Sequence, residues 1–303
     1  MGIDNRKGLL YAIFAAMLWG FLAIALKVAV ADLSPVTVVW FRFFTAFTIL
    51  SLWTLIFRRH DFRIFRKPPV LLFLAAVCLG CNYLGFISGI RYVSPSSSQV
   101  FIQAGPVGFA LSGILIFREQ VNWKHITGFI LVISGIILFY SEQIGELAGA
   151  DEPFTLGMFL VLGGGISWAV FATLQKGLVT RYPPNQLNLF IYGFCALMLA
   201  PFAQFSRLTE MPGWSWALLC FLGLNTVLAY GSLGLAIKYT EATRVSVIIT
   251  LNPVITFVAM AILSRIEVAW IAPEAFSILS IIGALTVLSG AIMVISAGWK
   301  RRL

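Results

Sequence analysis

Residues 69–90 read PVLLFLAAVCLGCNYLGFISGI, a run without one charged side chain. About 20 mainly apolar residues in a helix match the hydrocarbon thickness of a bilayer. Similar runs recur along the chain, ten in all, at 8–30, 34–57, 69–90, 95–117, 125–141, 156–178, 185–206, 214–237, 242–263 and 274–298. Lipid offers a backbone amide no partner, so a spanning segment bonds to itself as a helix or closes into a barrel. Barrel strands alternate polar and apolar positions, and these runs are apolar throughout. The chain therefore reads as an all-α integral membrane protein. A soluble fold is excluded by charge. Only 11% of the 303 residues are charged, against roughly 25% in soluble domains.

The first run differs from a secretory signal. Arg6 and Lys7 precede it and Val28-Ala29-Val30-Ala31 resembles a cleavage site. Its apolar part, however, exceeds the ~7–15 residues of a signal core, and Lys27 interrupts its end. It is expected to be retained as a span.

Basic residues set the orientation. With the N-terminus inside, the cytoplasmic segments collect Arg6, Lys7, Arg58, Arg59, Arg63, Arg66, Lys67, Arg118, Lys124, Arg181, Lys238, Arg244 and Lys300 to Arg302. The other side keeps Arg91, Arg207 and Arg265, together with the acidic loop SEQIGELAGADEP at 141–153. Cytoplasmic loops carry the excess of Lys and Arg, so both termini are predicted to be cytoplasmic, in the cytoplasmic membrane of a prokaryote. The net charge of +9 then follows from topology, and the partners are the lipid bilayer and a small solute, not nucleic acid. The chain is expected to be a monomer or a loose dimer.

Catalytic chemistry finds little support. His60 and His125 are the only histidines, and neither has metal-ligand spacing. Cys78 and Cys81 form a C-x-x-C with no second pair nearby, and with Cys195 and Cys220 they read as small packing residues. No set of nucleophile, base and orienting group is visible. No catalytic residue, metal or cofactor is predicted; a membrane enzyme, and a passive channel or receptor, are the competing readings of other classes.

The two halves of the chain match in order. Trp19 precedes Lys27 in LWGFLAIALK as Trp168 precedes Lys176 in SWAVFATLQK, and Pro35 and Pro184 keep the same offset. RYVSPSSSQVFIQAGPV at 91–107 aligns with KYTEATRVSVIITLNPV at 238–254, placing Pro106 opposite Pro253. SGIIL at 134–138 mirrors SGAIM at 289–293. Residues 1–150 and 151–303 are thus read as two five-helix repeats. Five spans is an odd number, so the second repeat enters the membrane inverted, an arrangement common in transporters.

With LWGFLAIALK, Phe41-Arg42-Phe43, the two proline helices, and Glu119 and Glu267 just after them, the chain resembles the EamA family of the drug/metabolite transporter superfamily over essentially its whole length. It departs from the family where SRIE replaces a Gly-Glu type of helix end and AWIAPEAF follows. The resemblance implies ten helices around a central cavity and export of small organic metabolites such as amino acids.

Polar residues mark where such a cavity lies. At 100° per residue Ser96, Gln99, Gln103 and Pro106 share one helix face, and Thr243, Ser246, Thr250 and Pro253 share another. Proline lacks a backbone donor and frees the carbonyl four residues back, which is tolerated at membrane depth beside a wet cavity or a partner group. Gln99, Gln103, Ser246 and Thr250 are therefore candidate substrate contacts, with dry helix–helix bonding as the alternative. Under the fold that the resemblance implies, Trp19, Trp168, Asn82, Tyr83, Phe86, Asn225 and Tyr230 join them. Aromatic faces with a few polar tips suit an amphipathic ligand.

Lys27, Arg42 and Lys176 lie within spans. Lys27 and Lys176 sit near span ends where long side chains snorkel, whereas Arg42 is open to a structural bond or to a substrate carboxylate. No Asp or Glu lies deep in any span, which argues against ion coupling through a buried carboxylate. The leading expectation is a secondary transporter exporting neutral or zwitterionic metabolites by alternating access. The runner-up is an exchanger of phosphorylated or anionic metabolites using Lys27, Arg42 and Lys176.

Overall fold

The computed structural model describes residues 5–139, 152–273 and 277–296; most of the acidic loop at 141–153 lies outside them. The described chain is helical, with no strand among its elements. In order come α1 (Asn5–Asp32), α2 (Pro35–Phe57), α3 (Val70–Gly89), α4 (Pro95–Phe101), α5 (Ala104–Leu115), α6 (Trp123–Phe139) and α7 (Glu152–Leu178). The rest are α8 (Pro184–Leu199), the short α9 (Phe205–Thr209), α10 (Gly213–Tyr239), α11 (Ala242–Ile249), α12 (Asn252–Arg265) and α13 (Ile278–Ser296). Eight segments are long and apolar enough to cross a bilayer, taking α4–α5 and α11–α12 each as one span; Trp123–Leu138 and Ile278–Val294 are apolar but shorter.

Helix ends follow local chemistry. Ser34 Oγ accepts from Thr37 N–H at 3.3 Å and Pro35 opens α2, because a first-turn proline gives up a donor the helix does not need. Ser94 Oγ accepts from Ser97 N–H at 3.0 Å at the start of α4.

The runs 95–117 and 242–263 each fold as two helices. Pro106 withdraws the donor that Ile102 O would accept. Ile102 O accepts instead from Gly105 N–H at 2.9 Å, a tighter turn that separates α4 from α5. Pro253 does the same to Ile249 O. There the side-chain amide of Asn252, oriented by its surroundings, donates to Ile249 O at 3.1 Å and to Ala16 O at 2.9 Å. The same covalent cause is thus met by backbone in one break and by a side chain in the other.

Packing is by matched pairs. α3 lies along α7 as α1 lies along α10; α5 meets α7 as α12 meets α1; α2 meets α10 as α8 meets α3; and α5 touches α11 as α12 touches α4. α6 and α13 pair with each other. Between α3 and α7 a Cβ on Gly85 would stand 2.7 Å from Leu160 O and one on Gly164 3.1 Å from Asn82 O. Small residues let backbones approach where lipid supplies no hydrophobic drive between helices. Matched asparagines tie the same pairs. Asn82 Nδ2 donates to Gly164 O of α7 and Asn225 Nδ2 to Leu18 O of α1, each at 2.9 Å.

Candidate substrate site

Where α1, α2, α3, α4–α5, α7, α10 and α11–α12 converge they leave a cavity of about 80 Å³. A cavity needs ~10–15 Å³ on this measure for one water, so the space takes several waters and is small for a bulky solute. Trp19, Arg42, Asn82, Tyr83, Phe86, Gln99, Gln103, Trp168 and Tyr230 line it, as does Pro106. Nine of the twelve candidate contacts are thus brought together from six helices and one turn. Leu22, Ile87, Ile102, Ile249 and Asn252 complete the wall. Asn252 is not among the residues the sequence singles out; its place directly before Pro253 is the signal that marks it, a chain break with an amide beside it.

The wall is aromatic. Trp19 meets the Trp168 and Tyr230 rings edge-on, with centroids 5.9 and 5.1 Å apart. Tyr83 lies 5.7 Å from Tyr230 and 4.4 Å from Phe43. Rings in edge contact fix one another, giving a stiff surface crossed by few polar atoms.

Arg42 is the one charged residue in this wall and is 2% exposed. Its Nε donates to Thr226 Oγ1 at 3.1 Å, and its guanidinium carbon lies 4.3 Å from the Tyr83 ring centroid. Thr226 in turn donates to Leu222 O and receives the Tyr83 hydroxyl at 3.4 Å. Arg42 Nη2 and Gln103 Oε1 are buried with no hydrogen-bond partner among the described residues.

Four predicted residues lie elsewhere. Asn225 is the clamp on α1, away from the cavity. Ser246 Oγ donates to Ala242 O at 2.8 Å and Thr250 Oγ1 to Val247 O at 2.6 Å, both on their own helix. They border a separate apolar groove between α5, α6 and α11. Shared helical phase placed them with Pro253 but left open which neighbour that face meets. Pro253 is buried at the start of α12, outside the cavity wall.

Lys27, Arg42 and Lys176 do not converge, which removes the ground for an anion site built from all three. Lys27 Nζ caps the carbonyls of Ile90 and Val93 at 2.8 and 2.9 Å, beyond the C-terminus of α3. Lys176 Nζ holds Thr240 O at 2.5 Å, at the C-terminus of α10. The two lysines answer each other across the halves, each anchoring the connection between the third and fourth spans of its own half.

The Lys176 end carries a further contact. Glu119 Oε1 accepts from Ala242 N–H at 2.7 Å and Oε2 from Thr243 N–H at 3.0 Å, and Lys176 Nζ lies 3.7 Å from Oε1. A carboxylate from one half thereby caps the first turn of α11 in the other, where helix donors are free and the dipole is positive. Arg118 stands at φ 51° and reverses the chain so that Glu119 reaches back. Glu267 itself holds the matching left-handed position at φ 52° and is exposed; the residue after it is Val268, so a second carboxylate clamp has no acid there.

The sequence profile of the EamA-like transporter family matches residues 6–141 and again 155–296. The chain belongs to the EamA-like transporter family. Relatives of this EamA-like transporter include the uncharacterized inner membrane transporter YhbE of Escherichia coli K12. The two are 32% identical over 287 residues, covering 94% of this chain and 89% of the relative. An uncharacterized transporter of Haemophilus influenzae is also 32% identical, covering 94% of each chain. One solved crystal structure at 16% identity superposes with a TM-score of 0.72 over 96% of this chain and 98% of its own, a likeness of fold. The EamA-like chain is thus a multi-pass integral membrane transporter. Its cavity is walled by both matched segments, Trp19 to Pro106 from the first and Trp168 to Asn252 from the second.

Proposed function

We propose that this transporter is a ten-span secondary carrier of two inverted five-helix repeats, 1–150 and 151–303, that exports small organic metabolites by alternating access. The observation that carries the reading is the central cavity, walled by both halves, and a contact between the halves at Glu119 is read as shutting one end of it. Glu119, held by the first-turn donors of α11 and faced by Lys176, forms that closure. Two halves that exchange roles need such ends to open in turn. The matched helix pairs and the two family matches support the inverted repeat.

The proposed orientation follows the basic residues, with both termini cytoplasmic and the Glu119 closure at the cytoplasmic end. The proposed substrates are amino acids or related carboxylate-bearing metabolites, held between Trp19, Trp168 and Tyr230 with polar contacts from Arg42, Gln99 and Gln103. The test is counterflow in proteoliposomes with a pool of labelled amino acids and small metabolites, beside Gln103→Ala and Trp168→Ala. Saturable counterflow lost in both variants supports the reading. Flux that survives both moves the path out of this cavity, and flux that never saturates refutes the carrier.

A further inference from the structure

We infer that the cavity selects solutes with one net negative charge, seating a carboxylate on Arg42, and that the membrane potential drives that anion outward. The inference rests on the carrier reading and narrows its carboxylate-bearing substrates to those without a compensating ammonium group, which leaves out the zwitterionic amino acids.

Arg42 lies two turns into α2, buried, and a guanidinium keeps its charge. No carboxylate pairs with it among the described residues, and none lines the cavity. An uncompensated buried cation is among the costlier features a fold carries. Here one hydroxyl and one ring face meet it, and Nη2 is left with nothing to bond. A carboxylate accepts two parallel N–H bonds from a guanidinium, so a ligand carrying one supplies what the site lacks.

The amount of charge is set by what else is near. Lys27 and Lys176 are committed to carbonyls at the two ends, so one cation faces the cavity, which matches a monocarboxylate better than a phosphate dianion. An ammonium group on the same solute finds no carboxylate in the wall, where Asn82, Gln99 and Gln103 supply neutral amides beside ring faces, in the field of Arg42. The matched position in the second half, at the spacing of Pro35 and Pro184, is Ile191. The charge therefore occurs once, and the loaded site is neutral.

The energetic consequence concerns direction. Arg42 travels with the protein, so each cycle moves the charge of the solute. An inside-negative potential contributes about 2.3 kcal/mol per charge per 100 mV, equivalent to a gradient of about 50-fold. A carrier of this kind exports a monoanion without a proton or sodium site.

The test uses two isosteric pairs: lactate and alanine, 3-phenyllactate and phenylalanine. Each acid carries one negative charge and each amino acid none. The full chain is reconstituted in proteoliposomes under a potassium diffusion potential set with valinomycin. Saturable flux of a hydroxy acid, with its distribution shifting about 50-fold per 100 mV, is expected, together with loss of charge selection in Arg42→Gln and its retention in Arg42→Lys. Preference for the amino acids, or a distribution indifferent to potential, overturns the inference while leaving a carrier. The chain has nine tryptophans, so the part of the fluorescence quenching by the same four solutes that is lost in Trp19→Phe and Trp168→Phe reads binding at the cavity separately from flux. Quenching by the hydroxy acids and not by the amino acids, without flux, upholds the charge selection and refutes the carrier reading. Neither quenching nor flux by either hydroxy acid overturns the inference.

Discussion

Replacing Glu119 with Ala should release the closed end of the bundle. The substitution removes both acceptors on the first turn of α11, at Ala242 and Thr243, and leaves Lys176 only Thr240 O. A hydrogen bond to a charged group contributes ~1.5–3 kcal/mol net. Once this end opens, water replaces both bonds, so the low figure applies to each and the sum is about 3 kcal/mol. The Lys176 contact at 3.7 Å, between side chains only 16% and 9% exposed, adds to this, so about 3 kcal/mol is the lower figure. Three kcal/mol shifts the ratio of open to closed by about 150-fold. The assay is thiol labelling of Ser246→Cys in a background without the four native cysteines. Ser246 sits on α11, one turn past the capped donors, and is 1% exposed. With Glu119 the site should react slowly; with Glu119→Ala the rate should rise by about two orders of magnitude, the same free energy read kinetically. A rate within threefold of the parent, in protein that still melts cooperatively, would refute the claim that this contact holds the end shut.

Gly113→Ala should weaken the same closure, because its Cβ would stand 2.7 Å from Glu119 Oε2; the Ser246→Cys labelling rate should rise and the melting temperature fall. Arg118→Gly should stabilise the protein by roughly 0.5–1 kcal/mol in thermal melts, since φ 51° costs an L side chain and not glycine. Asn225→Ala should cost about 1 kcal/mol by removing the bond to Leu18 O, with substrate affinity unchanged because Asn225 stands off the cavity. Gly85→Leu should prevent α3 and α7 from approaching and abolish the folded yield in detergent, a Cβ alone already lying 2.7 Å from Leu160 O.

Much of the architecture is legible without coordinates. A bilayer demands long apolar helices, so eight of the ten predicted runs, and the duplication that the family profile matches twice, stand in the residue order. Pro106 and Pro253 announce broken helices because a missing N–H is a covalent fact. The aromatic and amide wall was legible in part, since Gln99 and Gln103 share a helical phase with Pro106. Tertiary structure decided the rest. Helices apolar all round carry little periodic signal, so phase groups residues on a face without saying what the face meets. Ser246 and Thr250 turn to their own backbone and Asn225 to α1, while Gln103 in an equivalent phase faces the cavity. Glu119 and the first turn of α11 are more than a hundred positions apart and meet only when the halves pack. Arg42 is a charge in a span to the sequence; only its surroundings, one hydroxyl, one ring and no carboxylate, make it a site that lacks an anion. Covalent and local rules act within a turn of helix, whereas pairing and desolvation depend on neighbours that the fold alone brings near.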